Sequence, residues 1–158
     1  ICYKILVMRL VIQRVKHASV EIDGAIHGKI NQGYMILVGI QNEDTREIVE
    51  KMAEKVAKLR IFTDEEDKMN LNLSQVDGSI LSISQFTLYA DCHKGNRPSF
   101  SYAGKPVIAE PLYMYFNEYL RKIGIHVEEG IFGADMKVDL LNDGPVTIIL
   151  DSDIDIRK

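Results

Sequence analysis

Cysteine is scarce in this chain: Cys2 and Cys92 are the two among 158 residues. With one of them in the extreme N-terminal stretch, a disulfide framework is not expected, and a reducing, cytoplasmic setting fits best. Positive charge is also in short supply, since 19 Lys and Arg face 23 Asp and Glu, giving a net charge of −4 and a pI near 5.6. Broad capture of nucleic acid depends on Lys and Arg neutralising phosphates, so any RNA contact is expected to be small and local. No apolar run approaches the roughly 20 residues that cross a bilayer, so no membrane partner is expected. Internal repeats and low-complexity tracts are missing too.

The usual hydrolytic signatures are equally lacking. The four histidines, His17, His27, His93 and His126, are scattered, and no G-x-S-x-G, HExxH or CxxC sequence occurs. A metal enzyme is therefore not expected, and no cofactor is implied. Cys92-His93 could suggest a thiol and its base, but neighbours on an extended chain point to opposite faces and do not readily meet. The acidic stretch Thr63 to Met69 lacks the ligand order of a calcium loop and reads as a solvated loop.

What is present is a core-forming sequence, 46% apolar and 27% charged. At this length it fits one domain burying roughly two thirds of its unfolded surface. Ile1 to Val7 reads as an extension ahead of a natural start at Met8, which leaves 8–158 as the single domain. Arg9 to Val15 and Ser19 to Ile22 are strand-like, and Asp23-Gly24 predicts a hairpin turn with Ala25 to Ile30 returning. Tyr34 to Ile40 is almost wholly apolar, as in a strand covered on both faces. Asp44, with Glu47 three residues on, gives a capping-box-like helix start, and Ile48, Met52, Val56 and Leu59 follow at helical spacing.

Pro111 and Gly124 bracket a second helix with Leu112, Phe116, Tyr119, Leu120 and Ile123 on one stripe. Extended runs from His126 to Phe132 and from Met136 to Leu141 precede a Gly-Pro turn and a final strand from Val146 to Leu150. The order β-β-β-α-β-α-β-β-β predicts an α+β domain with a mostly antiparallel, barrel-like β-sheet and two main helices.

Two segments carry the chemistry. In Ser84-Gln85-Phe86-Thr87-Leu88 the alternation set by Leu81 and Ile83 puts Gln85 and Thr87 on the apolar face. Such a phase slip marks either a bulge or polar groups aimed at something, here a substrate pocket. Ser84 and Thr87 bring hydroxyls and Gln85 an amide, none of them a strong base. Thr87 is a candidate nucleophile or a residue that positions substrate. The second segment, Asn142-Asp143-Gly144-Pro145-Val146-Thr147, sets Gly144-Pro145 just before a buried strand, and taken alone this reads as a tight turn. Lys94, Arg97 and Lys105 lie just beyond the first segment in a loop suited either to solvent or to the phosphates of a single-stranded nucleic acid. Phe132 and Met136 are expected to pack beside the pocket.

SQFTL and NDGPVT resemble, in this order, the two signature motifs of the D-aminoacyl-tRNA deacylases. The opening MRLVIQRVKHASVEIDG, KGNRPSF from Lys94 to Phe100, and FGADMKV from Phe132 to Val138 are similar to further blocks of that family, so the likeness runs from Met8 almost to the end. It implies a small sheet-rich domain working as a homodimer, with D-aminoacyl-tRNA bound by its 3′ acceptor end and its ester hydrolysed. Gln85, Phe86 and Thr87 would place the ester and its oxyanion, with backbone N–H groups near Phe86 and Thr87 as donors. An aminoacyl ester is already activated, and the terminal ribose 2′-hydroxyl would help activate water, so no protein base is required.

The resemblance further implies a cis Gly144-Pro145 bond reaching into the partner subunit's pocket, where its carbonyls hold the substrate's amino group. An L side chain would then meet that backbone while a D side chain points to solvent, and glycyl-tRNA would be cleaved as well. The reading from another class is a nucleic-acid-binding module without hydrolytic activity, which predicts salt-sensitive affinity for plain DNA or RNA.

Overall fold

In the computed structural model, which describes residues 7–156, one long strand organises the sheet: β1, Arg9–Ile22. Its 14 residues give room for three antiparallel neighbours. β3 (Gly33–Gly39) pairs with its first half, β2 (Ala25–Ile30) with its second half, and β8 (Lys137–Asp151) with almost its whole length. The turn between β1 and β2 is the expected one: Asp23 and Gly24 take φ of 51° and 81°, the left-handed pair that a two-residue hairpin needs.

β6 (Ser79–Ser84) then adds parallel to β3, and β7 (Val127–Glu129) parallel to β6. Parallel neighbours need long crossovers, and both main helices lie in those connections: α1 (Arg46–Lys58) between β3 and β6, α2 (Pro106–Lys122) between β6 and β7. The sheet is thus antiparallel around β1 and parallel around β6. Its outer strands approach each other, with His27 Nδ1 on β2 lying 2.9 Å from the Glu129 carbonyl on β7, so the sheet is a nearly closed barrel. A small hairpin of β4 (Phe62–Thr63) and β5 (Met69–Leu71) and a four-residue α3 (Ser152–Asp155) complete the fold. The acidic stretch is the turn of that hairpin, where the Asp64 carboxylate accepts the N–H groups of Glu66 and Lys68.

Both faces of β3 are covered. Tyr34, Ile36 and Val38 join Leu10 and Ile12 against the helices, while Met35 faces the other way with Val15, Val20, Leu81 and Ile83. A strand buried on both faces must read as continuously apolar, as this one does.

Local chemistry moved several boundaries. Thr45, not Asp44, caps α1: its hydroxyl accepts Ile48 N–H at 3.3 Å, while the Asp44 carboxylate turns inward to Gln41 N–H at 2.7 Å. α1 buries Val49, Met52, Ala53 and Val56, so Met52 and Val56 of the expected stripe are central and Leu59 lies just past the end. α2 starts at Pro106, with Pro111 inside it. The carbonyl that Pro111 cannot serve belongs to Val107, whose residue is 78% exposed, so water can satisfy it. Phe116 and Leu120 are buried as expected, alongside Ala109, Tyr113 and Asn117, whereas Ile123 is exposed. The run from His126 to Phe132 shrinks to the three residues of β7, and Met136 to Leu150 becomes one strand, β8, with Gly144-Pro145 inside its span. The extension Ile1 to Val7 falls outside the described residues except for Val7, which is buried.

Candidate functional site

The break in alternation at Gln85 is neither a bulge nor a continued strand. β6 stops at Ser84, Gln85 (φ −146°, ψ 87°) turns the chain out of the sheet, and Phe86–Tyr89 winds into a 3-10 turn. One sheet-like bond, Gln85 N–H to the Val38 carbonyl at 2.9 Å, pins the exit point. Tyr89, fully buried, anchors the far end of the turn. Phe86 and Thr87 are left exposed, Phe86 edge-on to Phe100 with ring centroids 5.2 Å apart. Gln85 Nε2 donates to Thr87 Oγ1 at 2.5 Å. The hydroxyl oxygen is therefore an acceptor, and its own proton is available to donate.

Ser84, Gln85 and Phe86 form the ridge between two depressions. The larger, of about 450 Å³, has mostly apolar walls from Val38, Ile40, Phe100, Pro106 and Tyr113. The smaller, of about 280 Å³, opens on the other side between Ile83, Asp135 and Met136. Phe132 and Gly133 border both. Charged side chains at the rims are Lys105 on the larger and Asp135 on the smaller, the latter 2.8 Å from Lys137 Nζ. None of the four histidines lines either depression, and Cys92 is exposed on the loop beyond. Lys94 and Arg97 stand on that same exposed loop, which a bridge between Asp91 and Ser99 closes, away from both walls.

The second segment lies elsewhere. On β8, Thr147 pairs with Gln13 and Asn142 with Val15, so residues 143–146 face the single residue Arg14 and must loop out. Asn142 ties the base of this excursion, its Nδ2 donating to the carbonyls of Arg14 (3.1 Å) and Val146 (3.0 Å). Gly144 and Pro145 are exposed at the tip and joined by a cis bond. Gly144 has φ of 130°, and a Cβ there would sit 2.7 Å from Val146 Cγ2, so glycine is required. Neither residue lines the depressions beside Gln85. Within one chain the two motifs are not brought together.

Sequence reasoning missed Arg14. Its side chain is buried beneath the excursion, with Nε donating to the Asp143 carbonyl at 3.1 Å and Nη1 to the Ile61 carbonyl at 2.7 Å. The signal was available, because alternation puts Arg14 on the same face as buried Leu10 and Ile12. A charge on that face must have partners waiting. Among the described residues, no group of three His, Cys, Asp or Glu is arranged to hold a metal, and no helix is long and apolar enough to cross a membrane.

Comparison with known proteins bears on both motifs at once. The chain is 57% identical to a D-aminoacyl-tRNA deacylase of Lactobacillus acidophilus over 91% of its own length and 99% of that protein's. It is 58% identical to the protein of the same name from Bacillus thuringiensis, over 92% and 99%. Among solved structures, a chain described as c-Myc DNA Unwinding Element Binding Protein superposes with a TM-score of 0.85 at 42% identity, covering 90% of this chain and 97% of that one. A second, described as a "probable eukaryotic D-amino acid tRNA deacylase", shares the fold alone, with a TM-score of 0.80 at 17% identity over 92% and 99%. The sequence profile of D-Tyr-tRNA(Tyr) deacylase matches residues 11–151, both motifs included, and the chain belongs to that family.

Proposed function

We propose that this protein hydrolyses the ester of D-aminoacyl-tRNAs, releasing the D-amino acid and free tRNA. The observation that carries the reading is family membership across residues 11–151 together with a Ser84-Gln85-Phe86 ridge between two depressions, with Thr87 exposed one residue beyond it. Membership makes the chain a hydrolase of the aminoacyl-tRNA ester bond. The terminal nucleoside suits the larger, apolar depression, where Phe86 and Phe100 offer aromatic surface to a base, and the aminoacyl group suits the smaller one.

With no imidazole or unpaired carboxylate at the ridge, rate must come from orientation and from donors to the oxyanion. The N–H groups of Phe86 and Thr87 open the 3-10 turn, where helical geometry gives them no partner of their own. Thr87, accepting from Gln85, positions the ester instead of attacking it: a hydroxyl oxygen already engaged by an amide and lacking a base is a poor nucleophile. Water assisted by the ribose 2′-hydroxyl is then the attacking group.

Chiral selection belongs to Gly144-Pro145 acting across a homodimer, since the excursion is exposed and lines neither depression of its own chain. β8 supports such pairing. It is hydrogen-bonded to β1 along one edge and carries Leu141 and Ile149, 51% and 59% exposed. Carbonyls of the excursion would hold the substrate's amino group and leave no room for an L side chain, so D-aminoacyl and glycyl esters are both cleaved. Lys105 at the rim, with Lys94 and Arg97 beyond it, would meet the phosphates of the acceptor end, in the cytoplasm where charged tRNA is found.

The 42% identity to a DNA unwinding element binding protein favours a second reading, a nucleic-acid-binding module. Deacylation of D-tyrosyl-, L-tyrosyl- and glycyl-tRNA by the purified protein separates them. Loss of the D and glycyl esters with the L ester spared is expected. No turnover, with salt-dependent affinity for uncharged duplex, would overturn the hydrolase reading in favour of the binding module.

A further inference from the structure

The last residue of β3, Gly39, and the segment that follows it to Asp44 contact both the anchor of the ridge and the opposite wall of the larger depression. On one side, Gly39 lies flat against the Tyr89 ring, which would stand 3.0 Å from a Cβ at that position. Tyr89 closes the 3-10 turn that presents Phe86 and Thr87, and its hydroxyl donates to the Val7 carbonyl at 2.6 Å. On the other side, three consecutive residues hold the loop that leads into α2. The Ile40 carbonyl accepts Gly104 N–H at 2.9 Å, Gln41 Nε2 donates to the Tyr102 carbonyl at 2.6 Å, and Asn42 Oδ1 accepts Lys105 N–H at 2.8 Å.

The approach is too close for a side chain at residue 104, since a Cβ on Gly104 would fall 2.7 Å from the Ile40 carbonyl oxygen. Gln41 is itself held from behind, its N–H donating to the Asp44 carboxylate. At the top of α2 no side chain caps from within the helix and Pro106 has no N–H, so Asn42 supplies the acceptor that positions the first turn.

We infer that Gln41 and Asn42 are positioning residues that set the width of the larger depression, fixing the Gly104 to Pro106 wall relative to the Phe86 ridge. This rests on the reading that the depression receives the terminal nucleoside of an aminoacyl-tRNA. Neither residue needs to touch substrate. Loosening the wall weakens docking of the nucleoside, while the ester-positioning groups, held on the opposite side through Tyr89, keep their places. The effect therefore falls on KM more than on kcat.

Asn42 is exposed, so its replacement spares the core. The test compares wild type, Asn42→Ala and Asn42→Asp, the last of which keeps the acceptor for Lys105 N–H. With D-tyrosyl-tRNA as substrate, Asn42→Ala is expected to raise KM about five-fold, the equivalent of one lost hydrogen bond, with kcat within about two-fold. Asn42→Asp is expected to restore KM to near the wild-type value. An unchanged KM in Asn42→Ala, a loss confined to kcat, or failure of Asn42→Asp to rescue would overturn the inference. Hydrogen exchange at the Lys105 amide gives a reading independent of activity: faster in Asn42→Ala and recovered in Asn42→Asp if the clamp is real, unchanged in both if it is not. If the wild type leaves D-tyrosyl-tRNA intact, the substrate reading fails, and the clamp is judged on that exchange alone.

Discussion

The two motifs are built in opposite shapes by the same device. Each abandons the regularity of a strand: β6 ends and winds into a 3-10 turn to make a ridge between hollows, while β8 loops out four residues to make a knob. The ridge is anchored at the far end of its turn by buried Tyr89 and braced where Phe86 meets Phe100; the knob is supported from beneath by one buried guanidinium and one amide. A hollow and a knob on one chain that do not meet are the two surfaces that the proposed pairing of two copies would bring together. Neither contains a strong base, so what they contribute is shape and the direction of their donors and carbonyls.

The knob is the more brittle of the two, and the largest expected effect is there. Gly144→Ala forces a side chain onto φ of 130° and against Val146, so the tip must move. D-tyrosyl-tRNA cleavage should fall about a hundredfold, because displacements near 1 Å at a positioning element cost that much. A variant with unchanged rate and unchanged D/L ratio would remove the knob from substrate selection. Arg14→Leu attacks the same feature from below. It strands the Asp143 and Ile61 carbonyls, and stability should drop by about 2–3 kcal/mol in urea unfolding. A loss under about 0.5 kcal/mol would mean that the knob holds its shape without the guanidinium.

The ridge should respond more mildly. With Thr87 in the proposed positioning role, Thr87→Ala should lower kcat/KM for D-tyrosyl-tRNA about tenfold. A fall to background would make Thr87 the nucleophile and reverse the contrast drawn between a shaped site and a reactive one; an unchanged rate would remove it from both roles.

How far this was legible from sequence follows from which interactions are local. The Asp23-Gly24 hairpin and the doubly buried β3 were readable because a turn dipeptide and an apolar run each determine their own conformation. The helix starts were not. Asp44 and Thr45 can both cap, and what decided between them was the pull of Gln41 N–H on Asp44. Pro106 and Pro111 are both acceptable near a helix start, and the choice depended on which carbonyl could be left to water. Parallel pairing of β3 with β6 is a long-range event with no local signature. At the site, the residue types of both motifs were visible, and the break at Gln85 was visible as a lost period. That the break ends a strand depends on pairing with β3, more than 40 residues earlier, and that Gly144-Pro145 rides on a buried Arg14 depends on a pairing more than 100 residues apart.

The smallest expected effect concerns the scaffold of the ridge, and it is read against pH. The Asp44 carboxyl is pushed up from 3.8 to about 6, chiefly by burial and further by Glu43, with the N–H groups of Gln41 and Met8 pulling the other way. An acid whose pKa is higher folded than unfolded binds more protons in the folded state between those two values. Its contribution to stability is thus fully present below about 4 and is lost as pH rises through about 6. Asp44→Asn has no such term. The wild type should therefore gain on this variant in thermal melts as pH is lowered from 7.5 to 5, because the difference between the two proteins cancels every other titrating group. A gap that stays constant over that range would show that Asp44 does not titrate there, and that the segment holding both walls of the larger depression is insensitive to acid.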